Sequence, residues 1–183
     1  MQMSPNNFDE IDAILRRSRQ DSAEVHLLYT AIGRAVVALS EVELQLCLLY
    51  IVCRSDQDTR ESGKFISGIR HISEKIKYVD LLVNVTRNYQ ECLDWGEIRR
   101  KIEANIEIRN RLAHEGIQIV NNSQGAIEAV LSASPLSKPK ELLNDTRVHQ
   151  AADILEGLRD EISDYAMRLV KRDHDDQQDP PWD

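Results

Sequence analysis

The chain has 183 residues, 42% hydrophobic and 30% charged, with 7 Gly, 5 Pro and 5% aromatics. That is enough chain to bury a core, and the shortage of turn residues and rings favours long helices over a sandwich or barrel. The net charge of −8 argues against a protein that coats nucleic acid nonspecifically, because such binding needs many phosphate-neutralising cations.

The first seven residues are expected to be loose. Phe8, Ile11, Ile14 and Leu15 then recur at helical spacing, a short leading helix over 8–19. A long helix is expected from Ser22 to Cys53, with Val25, Leu28, Tyr29, Ile32, Val36, Leu39, Leu46, Leu49 and Tyr50 in steps dominated by three and four. Its longest uninterrupted apolar run, "LCLLYIVC" at 46–53, falls short of the roughly 20 residues that span a bilayer. The polar opening does not read as a signal peptide.

A third helix is expected from Phe65 to Asn88 on Ile66, Ile69, Ile72, Ile76, Val79 and Leu82. A fourth runs from Asp94 or Trp95 to Glu115, with Gly116 placed as its C-terminal cap. "IQIV" and "AIEAVL" flank "NNSQG", which predicts a small hairpin, followed by a Ser/Pro/Lys loop. A last helix spans Asp145 to Lys171 on Ala152, Leu155, Leu158, Ile162, Tyr165 and Leu169. The expected architecture is all-α: four principal helices, up and down, with the hairpin inserted before the last. Residues 8–172 form the bundle, and the acidic tail 173–183 is expected to be disordered.

Cys47, Cys53 and Cys92 form no C-x-x-C pair and cannot all pair within one chain, as expected of reduced thiols in the cytoplasm. His71 and Glu74 are three apart but lack the second pair and the added carboxylates of a di-iron bundle, so no metal site and no cofactor are expected. No Gly-rich phosphate loop or nucleophile elbow occurs.

The tail carries Asp173, Asp175, Asp176, Asp179 and Asp183, which leaves −3 for residues 1–172. Between Arg99 and Arg111 the sign reverses: Arg99, Arg100, Lys101, Arg109 and Arg111 stand against Glu103 and Glu107, a local +3. Such a patch on an acidic chain suits a small, focused anionic site.

The stretch "IEIRNRLAHEGI", 106–117, carries the oddest placement in the chain. At about 100° per residue, Arg109 lies roughly 20° from Ile102, near the middle of the apolar stripe Ile98–Ile102–Ile106. Asn110 and His114, four apart, stack on one flank. A guanidinium buried alone is costly, so Arg109 meets a carboxylate, snorkels to water, or faces a cleft or subunit interface. His114 suits a helix C-terminus on charge alone.

"RNRLAH" resembles the signature of the HEPN (higher eukaryotes and prokaryotes nucleotide-binding) family: an arginine, a polar residue that is often Asn, three more residues and a histidine. In that family the signature falls late in the third main helix of a four- or five-helix bundle with another long helix following, so the resemblance covers roughly residues 22–170. It implies a homodimer in which the two signature helices face each other and line one cleft. It also implies a metal-independent endoribonuclease of the toxin–antitoxin or antiviral-defence kind. His114 would be general acid or base for attack of a ribose 2′-OH on the adjacent phosphate, leaving 2′,3′-cyclic phosphate and 5′-OH ends; imidazole ordinarily titrates near neutrality. Arg109 would stabilise the growing phosphate charge. Asn110 would orient His114 or the phosphate, and Arg111, Arg100 and Lys101 would hold the RNA backbone. An antitoxin or another defence protein is the implied partner, with no membrane. Where some members carry a tyrosine two residues after the histidine, modified by a partner nucleotidyltransferase, this chain has Gly116. The resemblance equally covers non-catalytic bundles that bind a nucleotide, a nucleic acid or a protein.

Overall fold

The computed structural model describes residues 5–54, 59–121, 124–132 and 143–178; the side chains of 5–21, 109, 113 and 176–178 lie outside that description. Five helices run in chain order, α1 (Pro5–Arg54), α2 (Thr59–Gly68), α3 (Ile72–Thr86), α4 (Tyr89–His114) and α5 (Asp145–Gln178), with strands β1 (Gly116–Asn121), β2 (Ile127–Ser132) and β3 (Leu143–Asn144) between the last two. The fold is thus mainly helical with a small three-stranded sheet, and β3 was not foreseen.

Several boundaries differ from expectation for identifiable reasons. The short leading helix and the long one are a single α1 of 50 residues. The polar run "RRSRQDS" between them contains neither Gly nor Pro, and Pro5 sits in the first turn, where it is tolerated. The expected third helix is interrupted at Gly68: Ile69 N closes a turn onto Ile66 O, and His71, extended at φ −100° and ψ 123°, starts α3 afresh. α4 begins five or six residues early because Asn88 and Glu91 form a reciprocal capping box. Glu91 N donates to Asn88 Oδ1 at 3.0 Å, and Asn88 N donates to Glu91 Oε2 at 3.1 Å. Gly116 opens β1 and takes no left-handed cap; among the described residues the glycine with positive φ is Gly125, at 78°, in the hairpin. The Ser/Pro/Lys stretch at 133–142 and residues 179–183 lie outside the described residues.

The chain divides into two compact units, Met1–Val36 with Ile108–Ala152, and Val37–Glu107 with Asp153–Asp183. In the first, β1 pairs antiparallel with β2 (Ile117 opposite Leu131, Ile119 opposite Ala129) and β2 with β3 (Leu131 opposite Leu143). Alternation along β2 turns Ala129 and Leu131 to one face, where Leu28, Ala31 and Ala35 of α1 and Val148 and Ala152 of α5 are fully or nearly fully buried with them. The small side chains of α1 let the sheet lie close to the helix. In the second unit, Val42, Leu46 and Leu49 of α1, Ile76, Val79 and Val83 of α3, Ile98 and Ile102 of α4, and Leu158, Ile162 and Leu169 of α5 share one core. Trp95 stacks on Tyr165 at 6.2 Å, its Nε1–H donating to Asp80 Oδ1 at 3.1 Å.

Ser22–Arg54 of α1 is long and apolar enough, by length and composition, to cross a membrane, with a mean hydropathy of 1.9 over its most apolar window. The uninterrupted run at 46–53 understated this, because Ser40, Glu41, Glu43 and Gln45 only punctuate an otherwise apolar stretch. Both carboxylates are ion-paired within the second unit: Glu41 holds Arg159 and Glu43 holds Lys75, each at 2.8 Å.

α5 does not stop at Arg172 but runs to Gln178, so the tail expected to be disordered from Asp173 starts as helix. Arg87, at the α3–α4 junction, is the reason. Its side chain is 3% exposed and Nη1 donates to both oxygens of Asp173, at 2.6 and 2.8 Å. Nη2 donates to Val52 O at 3.0 Å, and Arg172 bonds both Asp173 and Glu91. Burial pushes the Asp173 carboxyl up, but hydrogen bonds from Arg87 and Arg172 outweigh it and hold the group below its ordinary value. A carboxylate depressed in the folded state contributes stability above its unfolded pKa of about 3.9, lost as pH falls through the lower folded value. Asp173→Ala should therefore cost about 2–3 kcal/mol at neutral pH, below the ~3–5 kcal/mol of a fully buried pair because Asp173 keeps some water contact. Thermal melts of parent and Asp173→Asn should converge below about pH 4; a constant gap down to pH ~3 would show that the carboxylate charge is not what holds Arg87.

Candidate functional site

The residues of "RNRLAH" occupy the last turns of α4 and belong to the first unit. Leu112 packs against the core of that unit together with Ile117, which fixes the roll of the helix end. Asn110 and His114, one turn apart, are both exposed on the same flank. The backbone of Arg109 is helical; its side chain lies outside the described residues.

Arg111 is differently placed. Its Nε and Nη2 donate to the two carboxylate oxygens of Glu115 at 2.7 and 3.0 Å, a bidentate pair one turn long with side chains only 19% and 11% exposed. Glu115 N closes the last backbone bond of the helix onto Arg111 O at 2.9 Å. Glu115 was not singled out from the sequence, although R-x-x-x-E on a helix is a recognisable pairing signal. The pair halts the helix against β1 and matches the charge of Arg111 beside His114.

Arg100 and Lys101 lie on α4 within the second unit. Arg100 is exposed, with Nε donating to Gly96 O at 3.2 Å. Lys101 Nζ sits between the oxygens of Glu161, at 2.7 and 2.8 Å. Arg99 pairs with Asp80 at 2.8 Å. The local +3 of the sequence is therefore largely matched by carboxylates from α3, α5 and α4 itself. Lys101 and Glu161 also line an open groove of about 310 Å³ with Asp94, Glu97, Ile98, Asp164 and Arg168.

Among the described residues Asn110 and His114 are exposed neighbours on one flank of α4, and Arg111 and Glu115 form a closed pair. The first can donate, accept and move a proton at an imidazole nitrogen; the second can position but carries no net charge. No protein-family model matches the chain, and no curated protein or solved structure matches it either.

The closed pair has a measurable energy. A double-mutant cycle on Arg111→Ala and Glu115→Ala, read by urea unfolding, should give a coupling of about 1 kcal/mol, above the usual exposed pair because the geometry is bidentate and shielded. A coupling indistinguishable from zero would mean that the two side chains are held by their neighbours and not by each other.

Proposed function

We propose that the chain is a HEPN-like endoribonuclease that cleaves RNA without a metal, acting as a homodimer in the cytoplasm within a toxin–antitoxin or antiviral-defence setting. The observation that carries the reading is the exposure of Asn110 and His114 side by side at the end of α4, in the register of the "RNRLAH" signature. His114 is the general base that takes the proton of a ribose 2′-OH, and an imidazole on the opposite side of the cleft, or the same one in turn, protonates the leaving 5′ oxygen. Asn110 orients the phosphate or the ring. Arg109 supplies the positive charge that meets the pentacoordinate phosphate. The C-terminal end of a helix repels anions, so a phosphate can settle there only if side-chain cations outweigh the dipole. That is the physical reason for arginine at this position, and for completing the cleft with the same helix of a second chain.

A second reading has its own support. Arg111 and Lys101 each already hold a carboxylate. A cation so matched offers less to a transition state, which suits a non-catalytic bundle that binds a nucleotide, a nucleic acid or a protein partner.

Cleavage of RNA in EDTA, with 2′,3′-cyclic phosphate ends, is the expected outcome for the purified protein, and light scattering at micromolar concentration should give a dimer. His114→Ala should lower the rate about a hundredfold or more. Arg109→Ala should cost at least as much. Both variants should melt with the parent. Activity lost in EDTA and restored by magnesium would sink the mechanism. An Arg109→Ala protein that melts far earlier while its folded fraction still cuts RNA would make the arginine architectural.

A further inference from the structure

We propose that α2 and the start of α3 form a second RNA-binding surface, on which the rings of Phe65 and Tyr78 stack the bases of a single strand while Arg60, Arg70 and Lys77 hold its phosphates. The proposal rests on the preceding reading for its ligand but not for its chemistry, and it concerns residues that the signature does not include.

Phe65 and Tyr78 meet edge to face, centroids 5.1 Å apart at 84°, yet they are 45% and 41% exposed. Large rings ordinarily bury most of their area. These two are also held in place. Phe65 lies 5.8 Å from the ring of Tyr50, which is buried, and the Tyr50 hydroxyl accepts from Arg54 Nη1 at 3.5 Å. Three rings in series, one anchored in the core and two open to water, make a rigid platform on which order is already established before a base arrives.

The charge around the platform is the second observation. Residues 59–78 carry five cations, Arg60, Lys64, Arg70, Lys75 and Lys77, against Glu61 and Glu74. Lys64 is taken by Glu61 at 2.7 Å and Lys75 by Glu43 at 2.8 Å. For Arg60, Arg70 and Lys77, all exposed, no ion pair is found among the described residues. Elsewhere among the described residues Arg87, Arg99, Lys101, Arg111, Arg159 and Arg172 hold carboxylates, while exposed Arg100 and Lys171 form no ion pair. Among the described residues, three cations without a carboxylate fall in the stretch of chain that carries the two open rings, so positive charge and π-faces come from the same segment. That combination is what single-stranded nucleic acid requires, since every unstacked base offers a ring face and every nucleotide a phosphate. A purely apolar protein partner would have no use for the unmatched cations.

The test uses the full chain carrying His114→Ala, so that RNA is not cut, and fluorescence anisotropy with a labelled single-stranded RNA of about 12 nucleotides, within the site sizes such surfaces cover. The single strand should bind more tightly than a duplex of the same sequence. Phe65→Leu, which keeps apolar contact with Tyr50 but removes the ring, should weaken binding by about fivefold or more. Arg70→Ala with Lys77→Ala should lower the slope of log affinity against log salt by about 1.4. Glu74→Gln, one turn from Tyr78, should tighten binding at low salt. Unchanged affinity in both Phe65→Leu and the double variant, or equal affinity for duplex and single strand, overturns the platform. So does a Phe65→Leu protein that binds no RNA differently but turns from dimer to monomer, which would make this face a protein interface. The two proposals fail separately. A parent protein that cuts RNA while Phe65→Leu binds as before loses only the platform. A parent that cuts nothing, yet binds the single strand through Phe65, loses only the nuclease.

Discussion

Arg87 is a guanidinium almost entirely out of water, and the second unit is arranged around pairing its two terminal nitrogens, while its Nε is buried without a hydrogen-bond partner among the described residues. An isolated buried guanidinium would be far too costly to keep. Its partners therefore arrive from several elements at once: the carbonyl of Val52 near the end of α1, the carboxylate of Asp173 near the end of α5, and the Cys53 thiol, which burial pushes up and which stays in its neutral form. Glu91 extends the set, capping α4 through Asn88 while bonding Arg172. Through these bonds a single charge relates where α1 ends, where α4 starts and how far α5 continues. Tyr165, whose hydroxyl donates to Glu91 O at 3.1 Å, ties the same corner to the stacked Trp95.

α1 shows a different constraint. It is apolar on nearly all sides, with Val42, Leu46 and Leu49 in the core and Val37, Leu44 and Leu48 open. A helix of that composition could pass for a membrane segment. What sets it in this fold is polar punctuation: Glu41 and Glu43, adjacent in pattern, each reach a cation on a different helix. Pulling α1 into a bilayer would strand both pairs. In the first unit the same helix turns to small residues, Ala31 and Ala35, and meets a sheet instead of helices. The change in side-chain size along one continuous helix matches the change in what packs on it.

Most of the helical pattern was legible because period-3.6 spacing is a direct consequence of one-sided burial. Ile98 and Ile102 of α4 and Leu155, Leu158, Ile162 and Leu169 of α5 are core residues as the spacing required. Boundaries were less legible where a polar side chain decided them. Asn88 and Glu91 cap α4 by a two-residue exchange that a hydrophobic count cannot see, although N-x-x-E was there to be read. The extension of α5 through Asp173 depends on a partner 86 residues away, which no local window contains. At the site, the common flank of Asn110 and His114 followed from spacing alone. The bond from Arg111 to Glu115 has the same i,i+4 spacing, but Glu115 lies outside the 99–111 stretch whose charge balance reads +3.

That matching bears on how such a chain could bind RNA at all. A net charge of −8 rules out affinity built on wholesale counterion release. Each cation that already holds a carboxylate must exchange one anion for another, and the exchange returns little free energy in water. Net attraction is then confined to cations without such partners and to contacts that do not depend on charge, stacking above all. An acidic chain that bound RNA in this way would gain selectivity from that restriction. Smooth duplex, which offers phosphates but no open bases, has little to engage, whereas a flexible single strand can satisfy a few focused charges and ring faces together. The same flexibility lets a ribose 2′-OH swing into line with its own phosphate, the geometry that cleavage without a metal demands.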